Sequence, residues 1–330
     1  MVSTDIGIDL GTTNILIYVK KKGIVLNEPC VVAIEKNTKK VIAVGKKANE
    51  MVGRTPNKIE AVRPLKEGVI TDIDITEIML NEFINMIKAK QLFIKPRILI
   101  SCSTNISPRE RETIREVAER TGARKIYIEE APRAAAIGAG MNIKEPIANM
   151  IVDLGGGTTD IAVLSIDGIV KSSSIKIAGE KLNEDIVNYL KEKYRLLIGL
   201  LTAEKIKTTF INVYNPQNKK IEVKGRDLIT GLPSSIEVTQ TELKDAVQNS
   251  INKIISEIKK VLENTPPELS ADIIEKGIVL TGGSSKLNGL LERIEDKIKV
   301  SVLIAESPET CVVEGTGILL DEIKRLEEDQ

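Results

Sequence analysis

Asp9-Leu10-Gly11-Thr12-Thr13 and Asp153-Leu154-Gly155-Gly156-Gly157-Thr158-Thr159 read as one element used twice. Each string follows an apolar strand and precedes another, so each marks the tip of a hairpin. Glycine lets backbone N–H groups converge on an anion at close range, and Thr12, Thr13, Thr158 and Thr159 add hydroxyl donors. An aspartate at each strand end, Asp9 and Asp153, suits a hydrated Mg²⁺, which keeps its waters and takes few carboxylates directly. Two such hairpins facing each other would clamp a polyphosphate and its metal. A single glycine-rich turn is commonly structural; here there are two, with Thr281-Gly282-Gly283 as a third.

The flanking sequence repeats in the same order. Strands are expected at Ile6–Leu10, Ile15–Val19, Val31–Ile34, Val41–Val44 and Ile98–Ser101, and again at Ile151–Leu154, Ile161–Ser165 and Ile169–Lys171. A helix carries Met79, Leu80, Phe83, Ile84 and Ile87 on one face. Ser107-Pro108-Arg109-Glu110 places a cap, a proline and an N3 glutamate in capping-box order, and that helix stops at Gly122. A long helix spans about Thr241 to Glu263, and Ile278–Leu280 is a further strand. A duplicated α/β core with a cleft between its halves follows.

At 330 residues the chain is long enough for two lobes, since single cores stop growing near about 250 residues. Apolar residues make up 42% and charged ones 28%, as in a soluble globular protein. Lys plus Arg equals Asp plus Glu at 47 each, which gives no nucleic-acid footprint. Histidine is absent, which excludes an imidazole base or ligand. Cys30, Cys102 and Cys311 match no zinc or disulfide pattern and read as core residues in a reducing compartment. No apolar run approaches the ~20 residues of a membrane span, and the first strand begins too early to leave room for a signal peptide. A cytoplasmic protein is expected. A Walker string G-x-x-x-x-G-K-[ST] is missing, and no G-x-G-x-x-G follows the first strand.

The sequence resembles the superfamily of actins, sugar kinases and heat-shock chaperone ATPases, and within it the MreB-type bacterial actins from end to end. The narrowing strings are Asn27-Glu28-Pro29, Val62-Arg63-Pro64-Leu65-Lys66-Glu67-Gly68-Val69-Ile70, Ala134-Ala135-Ala136-Ile137-Gly138-Ala139-Gly140, Gly225-Arg226-Asp227-Leu228-Ile229-Thr230-Gly231-Leu232-Pro233 and Thr265-Pro266-Pro267-Glu268-Leu269. The resemblance implies an actin-like duplicated ATPase fold with two lobes and four subdomains around a nucleotide cleft. Lobe I would take residues 1–147 and 310–330 with a small insert at about 30–70. Lobe II would take 148–309 with an insert at about 180–245. It implies ATP and Mg²⁺ as ligands. Asp9, Gly11, Thr12, Thr13 and Asn14 would form the first phosphate loop, and Asp153, Gly155, Gly156, Gly157 and Thr158 the second. Gly179 and Glu180 would lie near the sugar, Glu204 and Lys207 would embrace ribose and adenine, and Gly282, Gly283 and Ser284 would border the base.

The match breaks at Glu129-Glu130-Ala131-Pro132, where relatives read Glu-Glu-Pro. Ala131 falls where the family has the glutamate that orients the attacking water. A methyl group accepts no hydrogen bond, and such positioning is worth about 10²–10⁴ in rate, so hydrolysis is expected to be slow. Thr158 and Asp160 could still orient water, or Glu130 could swing in; alternatively Glu130 caps the following helix. Leu200-Leu201 also replaces a charged pair, with core or lobe packing as the default reading.

Lys88-Ala89-Lys90-Gln91-Leu92-Phe93-Ile94-Lys95-Pro96-Arg97 sets apolar residues between cations. Leu92 and Phe93 would suit insertion at an anionic membrane surface; equally, Phe93 and Ile94 would start a buried strand. By resemblance, the partners are other copies of the chain in paired protofilaments, the inner face of the cytoplasmic membrane and the cell-shape machinery. A chaperone-type ATPase and a small-molecule kinase are the alternatives. The chain ends where a chaperone's peptide-binding domain would begin, and no substrate pocket for a kinase is evident.

Overall fold

The computed structural model describes residues 5–87 and 95–328. The expectations for Leu92 and Phe93 lie outside the described residues. Two five-stranded sheets share one plan. In the first, the strands Asp5–Leu10, Asn14–Val19 and Gly23–Pro29 form an antiparallel meander, and Arg97–Cys102 and Lys125–Glu130 extend it in parallel beyond Asp5–Leu10. In the second, Asn149–Leu154, Thr159–Ser165 and Gly168–Ile175 form the meander, and Ile278–Thr281 and Val302–Ile304 extend it in parallel. The central strands Asn149–Leu154 and Thr159–Ser165 are buried at every position, as continuous apolar runs demand.

Three-stranded sheets elaborate each half. Val32–Glu35, Val41–Val44 and Ile59–Val62 form one, and Leu196–Leu197, Lys220–Asp227 and Pro233–Thr239 the other. Helices cover the sheets with the faces their spacing dictates. Ile73–Met86 buries Met79, Leu80, Phe83 and Ile84, and Asp72 caps it through a bond from Ile75 N at 3.0 Å. Pro108–Arg120 carries the expected box, with Glu110 N donating to Ser107 Oγ and Ser107 N to Glu110 Oε2. Gln240–Glu263 opens on a second box, Thr239 with Glu242, and lays Leu243, Val247, Ile251, Ile254 and Ile258 on the second sheet's core.

A separate cluster joins the halves. Helix Ala131–Gly138 packs on helix Cys311–Glu328, with Leu99 from the first sheet and Ile151, Ala162 and Leu164 from the second. The two helices meet backbone to backbone. A Cβ on Gly138 would stand 1.8 Å from Cys311 O, and one on Gly315 would stand 1.8 Å from Ala134 O. All three cysteines are buried, and burial pushes each thiol up to about 12. No helix among the described residues is long and apolar enough to cross a membrane.

The strand Gly23–Pro29 was not expected from the sequence; it is the half-exposed edge of its sheet, with Ile24 and Val25 turned outward. The strand placed at Ile169–Lys171 runs on to Ile175 through the polar Ser172-Ser173-Ser174.

Candidate functional site

The two hairpin tips face each other across a cavity of about 920 Å³. Gly11, Thr12, Thr13 and Asn14 line one side, and Gly155, Gly156, Gly157 and Thr158 the other. The tips touch. A Cβ on Gly156 would lie 1.8 Å from Thr13 Oγ1, and one on Gly157 would lie 2.4 Å from Thr12 Oγ1. Glycine is therefore required at both positions for the approach itself. A two-residue turn, Glu67-Gly68, closes the small hairpin Leu65–Lys66 and Val69–Ile70 over the same point; both residues have positive φ, 51° and 76°. Gly68 N donates to Thr12 Oγ1 at 2.9 Å, and a Cβ on Gly68 would lie 2.8 Å from Thr158 Cγ2.

Asp9 and Asp153 end the first strand of each meander and both line the cavity. Ser101 Oγ donates to Asp9 and Thr281 Oγ1 to Asp153, each at 3.0 Å. Burial pushes the Asp9 carboxyl up to about 6, against the Ser101 bond. Asp153 rises to about 7 through burial first and then the charges of Asp160 and Asp9. Two carboxyls held so close to neutral pH favour a neutralising cation between them. Among the described residues no cluster of three or more carboxylates, thiols or imidazoles could hold a metal by itself. That donor set fits Mg²⁺, whose other positions go to water and phosphate oxygens.

The remaining expected residues fall along one wall. Gly179 N and Ser284 Oγ donate to Gly155 O, at 3.3 and 2.7 Å, and Glu180 N donates to Gly156 O at 2.8 Å. Lys207 Nζ donates to Gly179 O at 2.9 Å and to Glu204 Oε2 at 2.8 Å. Gly282 has φ 78°, and a Cβ there would meet Leu154 O at 2.3 Å. Gly283 opens the short turn Gly283–Lys286 that carries Ser284. Glu180 also reaches across the cleft to Arg63 at 3.7 Å. Burial raises its carboxyl, and Arg63 opposes that rise.

Ala131 lines the cavity as the first residue of its helix. Glu130 does not. Its strand ends opposite Cys102 and the helix turns Ala131, not Glu130, to the cavity; at the N-cap position the Glu130 side chain makes no capping bond either. Burial and then Glu129 push its carboxyl up. Thr158 Oγ1 donates to Asp160 Oδ2 at 2.8 Å. Asp160 Oδ1 accepts from Ser103 Oγ, from Thr104 N at 3.2 Å and from Thr104 Oγ1 at 3.4 Å. Ser103 and Thr104 follow the first sheet's strand Arg97–Cys102, so this carboxylate ties one half to the other. Sequence reading missed them, along with Ser101, because a serine at a strand end carries no signal of its own. Leu200 and Leu201 line the cavity too, and Leu200 is half exposed, so the pair is not core.

A family model described as MreB/Mbl protein matches residues 3–328. The chain belongs to the MreB/Mbl family. It is 54% identical to the cell shape-determining protein Mbl of Bacillus subtilis over 99% of this chain and 98% of that one. It is 44% identical to the cell shape-determining protein MreB of Escherichia coli, over 98% and 95%. The crystal structure of MreB5 of Spiroplasma citri bound to AMPPNP superposes with a TM-score of 0.94 at 36% identity, covering 100% of this chain and 99% of that one. The double helical filament of MamK, at 21% identity and TM-score 0.83, shares the fold. As a member of the MreB/Mbl family this is an actin-like cytoskeletal protein of the cell shape-determining class. The chaperone and small-molecule kinase alternatives find no support in these likenesses.

Proposed function

We propose that the cleft binds ATP with Mg²⁺ and that the protein polymerises with it into paired protofilaments on the inner face of the cytoplasmic membrane. The observation that carries this reading is the contact of two glycine hairpin tips over a cavity that also holds Asp9 and Asp153. The phosphates would lie against the N–H groups of Gly11–Thr13 and Gly155–Thr158, with Asp9 and Asp153 toward the metal. The metal, when bound, neutralises phosphate charge. Lobe I would comprise residues 1–147 and 310–330, and lobe II residues 148–309. MreB5 of Spiroplasma citri bound to AMPPNP and bound to ADP supports the nucleotide.

Hydrolysis is slow in this reading. Ala131 offers the attacking water no acceptor. Thr158 spends its proton on Asp160, which leaves its lone pairs for a water hydrogen, so the Thr158–Asp160 pair sustains a residual rate. The test follows filament formation by electron microscopy alongside phosphate release. Filaments with ATP, and Ala131→Glu releasing phosphate at least tenfold faster, are the expected results. No filaments with any nucleotide would remove the polymer; equal turnover in the two proteins would remove the account of Ala131.

A further inference from the structure

The strand Arg97–Cys102 of the first half brings two serines to the cleft, two residues apart and so on one side of the chain. Ser101 Oγ donates to Asp9, within its own half, at 3.0 Å. Ser103, one residue past the strand end, donates instead to Asp160 of the second half, whose carboxylate is buried. Ser103 and Asp160 both line the cavity, as do Ala131 and Thr158.

Donor counting fixes the direction of each bond. A carboxylate only accepts, so the Ser103 proton lies toward Asp160 Oδ1, and the Ser174 hydroxyl, 2.7 Å from Ser103 Oγ, is the donor of that pair. Thr104 N, at 3.2 Å, takes the other lone pair of Oδ1. With Oδ1 held from the first half, Oδ2 stands where the Thr158 hydroxyl reaches it at 2.8 Å. The χ2 torsion of aspartate is broad, so nothing intrinsic to the side chain keeps Oδ2 there. Without the Ser103 bond the carboxylate is free to turn, and the Thr158 hydroxyl turns with it.

We propose that Ser103 is a positioning residue for hydrolysis: from the first half it fixes Asp160, and through Asp160 the Thr158 hydroxyl that holds the attacking water in the second. The inference rests on the slow-hydrolysis reading above. It adds that the two halves must stand together for the water to be held, since Ser103 meets Asp160 only across the seam between them. With no acceptor at Ala131, the lone pairs of Thr158 carry the water, and whatever sets their direction sets the rate.

The test is single-turnover phosphate release from ATP by the full chain and by Ser103→Ala, Thr158→Val and the double variant Ser103→Ala/Thr158→Val, with the affinity of each for AMPPNP measured by calorimetry. The expected result is release slowed about tenfold in Thr158→Val and about fivefold in Ser103→Ala, the worth of roughly one hydrogen bond, with AMPPNP affinity within about twofold of wild type throughout. The double variant is no slower than Thr158→Val, because Ser103 acts only through that hydroxyl. General damage would lower affinity along with rate and would add to the effect of Thr158→Val. The proposal is overturned if Ser103→Ala keeps the wild-type rate while Thr158→Val does not, if the two losses multiply in the double variant, or if AMPPNP affinity falls in step with the rate. Thr158→Val at the wild-type rate would overturn the account of the water, and this proposal with it; failure of AMPPNP to bind the wild-type chain would overturn the nucleotide reading itself.

Discussion

Replacing Gly315 with alanine separates the packing described here from helix propensity, because the two predict opposite signs. Gly315 lies inside the helix Cys311–Glu328 with negative φ, where alanine normally gains about 1 kcal/mol over glycine. Its Cβ, however, would stand 1.8 Å from Ala134 O, whereas carbon meets a carbonyl oxygen at about 3.3 Å or more. The helices must part by about 1.5 Å, and neither contact atom can rotate away because both are backbone. Overpacking of this kind costs about 1–3 kcal/mol, and parting also opens the cluster of Ala131, Ala135, Val312 and Leu319. The strain outweighs the propensity gain, with a net loss of about 1 kcal/mol before the cost of opening that cluster is added. Urea unfolding followed by circular dichroism reads this as a lower midpoint at unchanged slope. A midpoint equal to or above that of the wild type would refute the close approach. Gly138→Ala, facing Cys311 O, should behave in the same way.

Gly156→Ala should weaken ATP binding at least tenfold with little change in urea midpoint, because the added methyl meets Thr13 Oγ1 and forces the tips apart; calorimetry that finds wild-type affinity would contradict the geometry. Asp5→Ala leaves Arg97 buried without its bidentate partner, now at 2.9 and 2.8 Å, and should cost about 3–5 kcal/mol in the same unfolding assay. Stability of the nucleotide-free protein should fall as pH rises from 5.5 to 7. A carboxyl raised by folding stabilises below its unfolded value and loses that contribution as pH climbs to its folded value, about 7 for Asp153. Asp153 alone accounts for about 2 kcal/mol at most over that interval, at 1.36 kcal/mol per unit, and Asp9, raised to about 6, adds to the fall in its lower part. With no histidine in the chain, no imidazole masks it. Stability that instead increases over this interval would contradict the burial of Asp153.

What the sequence disclosed was local. Both hairpin tips, the Ser107–Glu110 box and the apolar face of Ile73–Met86 each lie within one turn or one helix, where spacing alone encodes the outcome. The doubled plan was legible because Asp-Leu-Gly and its flanking strands recur. The edge strand Gly23–Pro29 escaped because an edge needs to bury only one residue in two or three, here Leu26, so no long apolar run marks it. The ties of Ser103 and Thr104 to Asp160 escaped for a different reason. They join elements far apart in the chain, through side chains too common to stand out. The crossing escaped as well: Gly138 stands out only within the small-residue string Ala134–Gly140 and Gly315 not at all, since nothing local shows that another backbone must pass there.

Two close approaches described above differ in kind: inside the cluster that joins the halves two helices cross backbone on backbone, whereas the hairpin tips meet glycine backbone against the Thr12 and Thr13 side chains. Side chains yield by changing rotamer; bare backbone does not. The crossing is accordingly the part of that cluster least able to give, while Thr13 against Gly156 limits how closely the tips can stand. Under the proposed function, the nucleotide would thus meet side chains that can adjust at the tips and a backbone seam that cannot behind them.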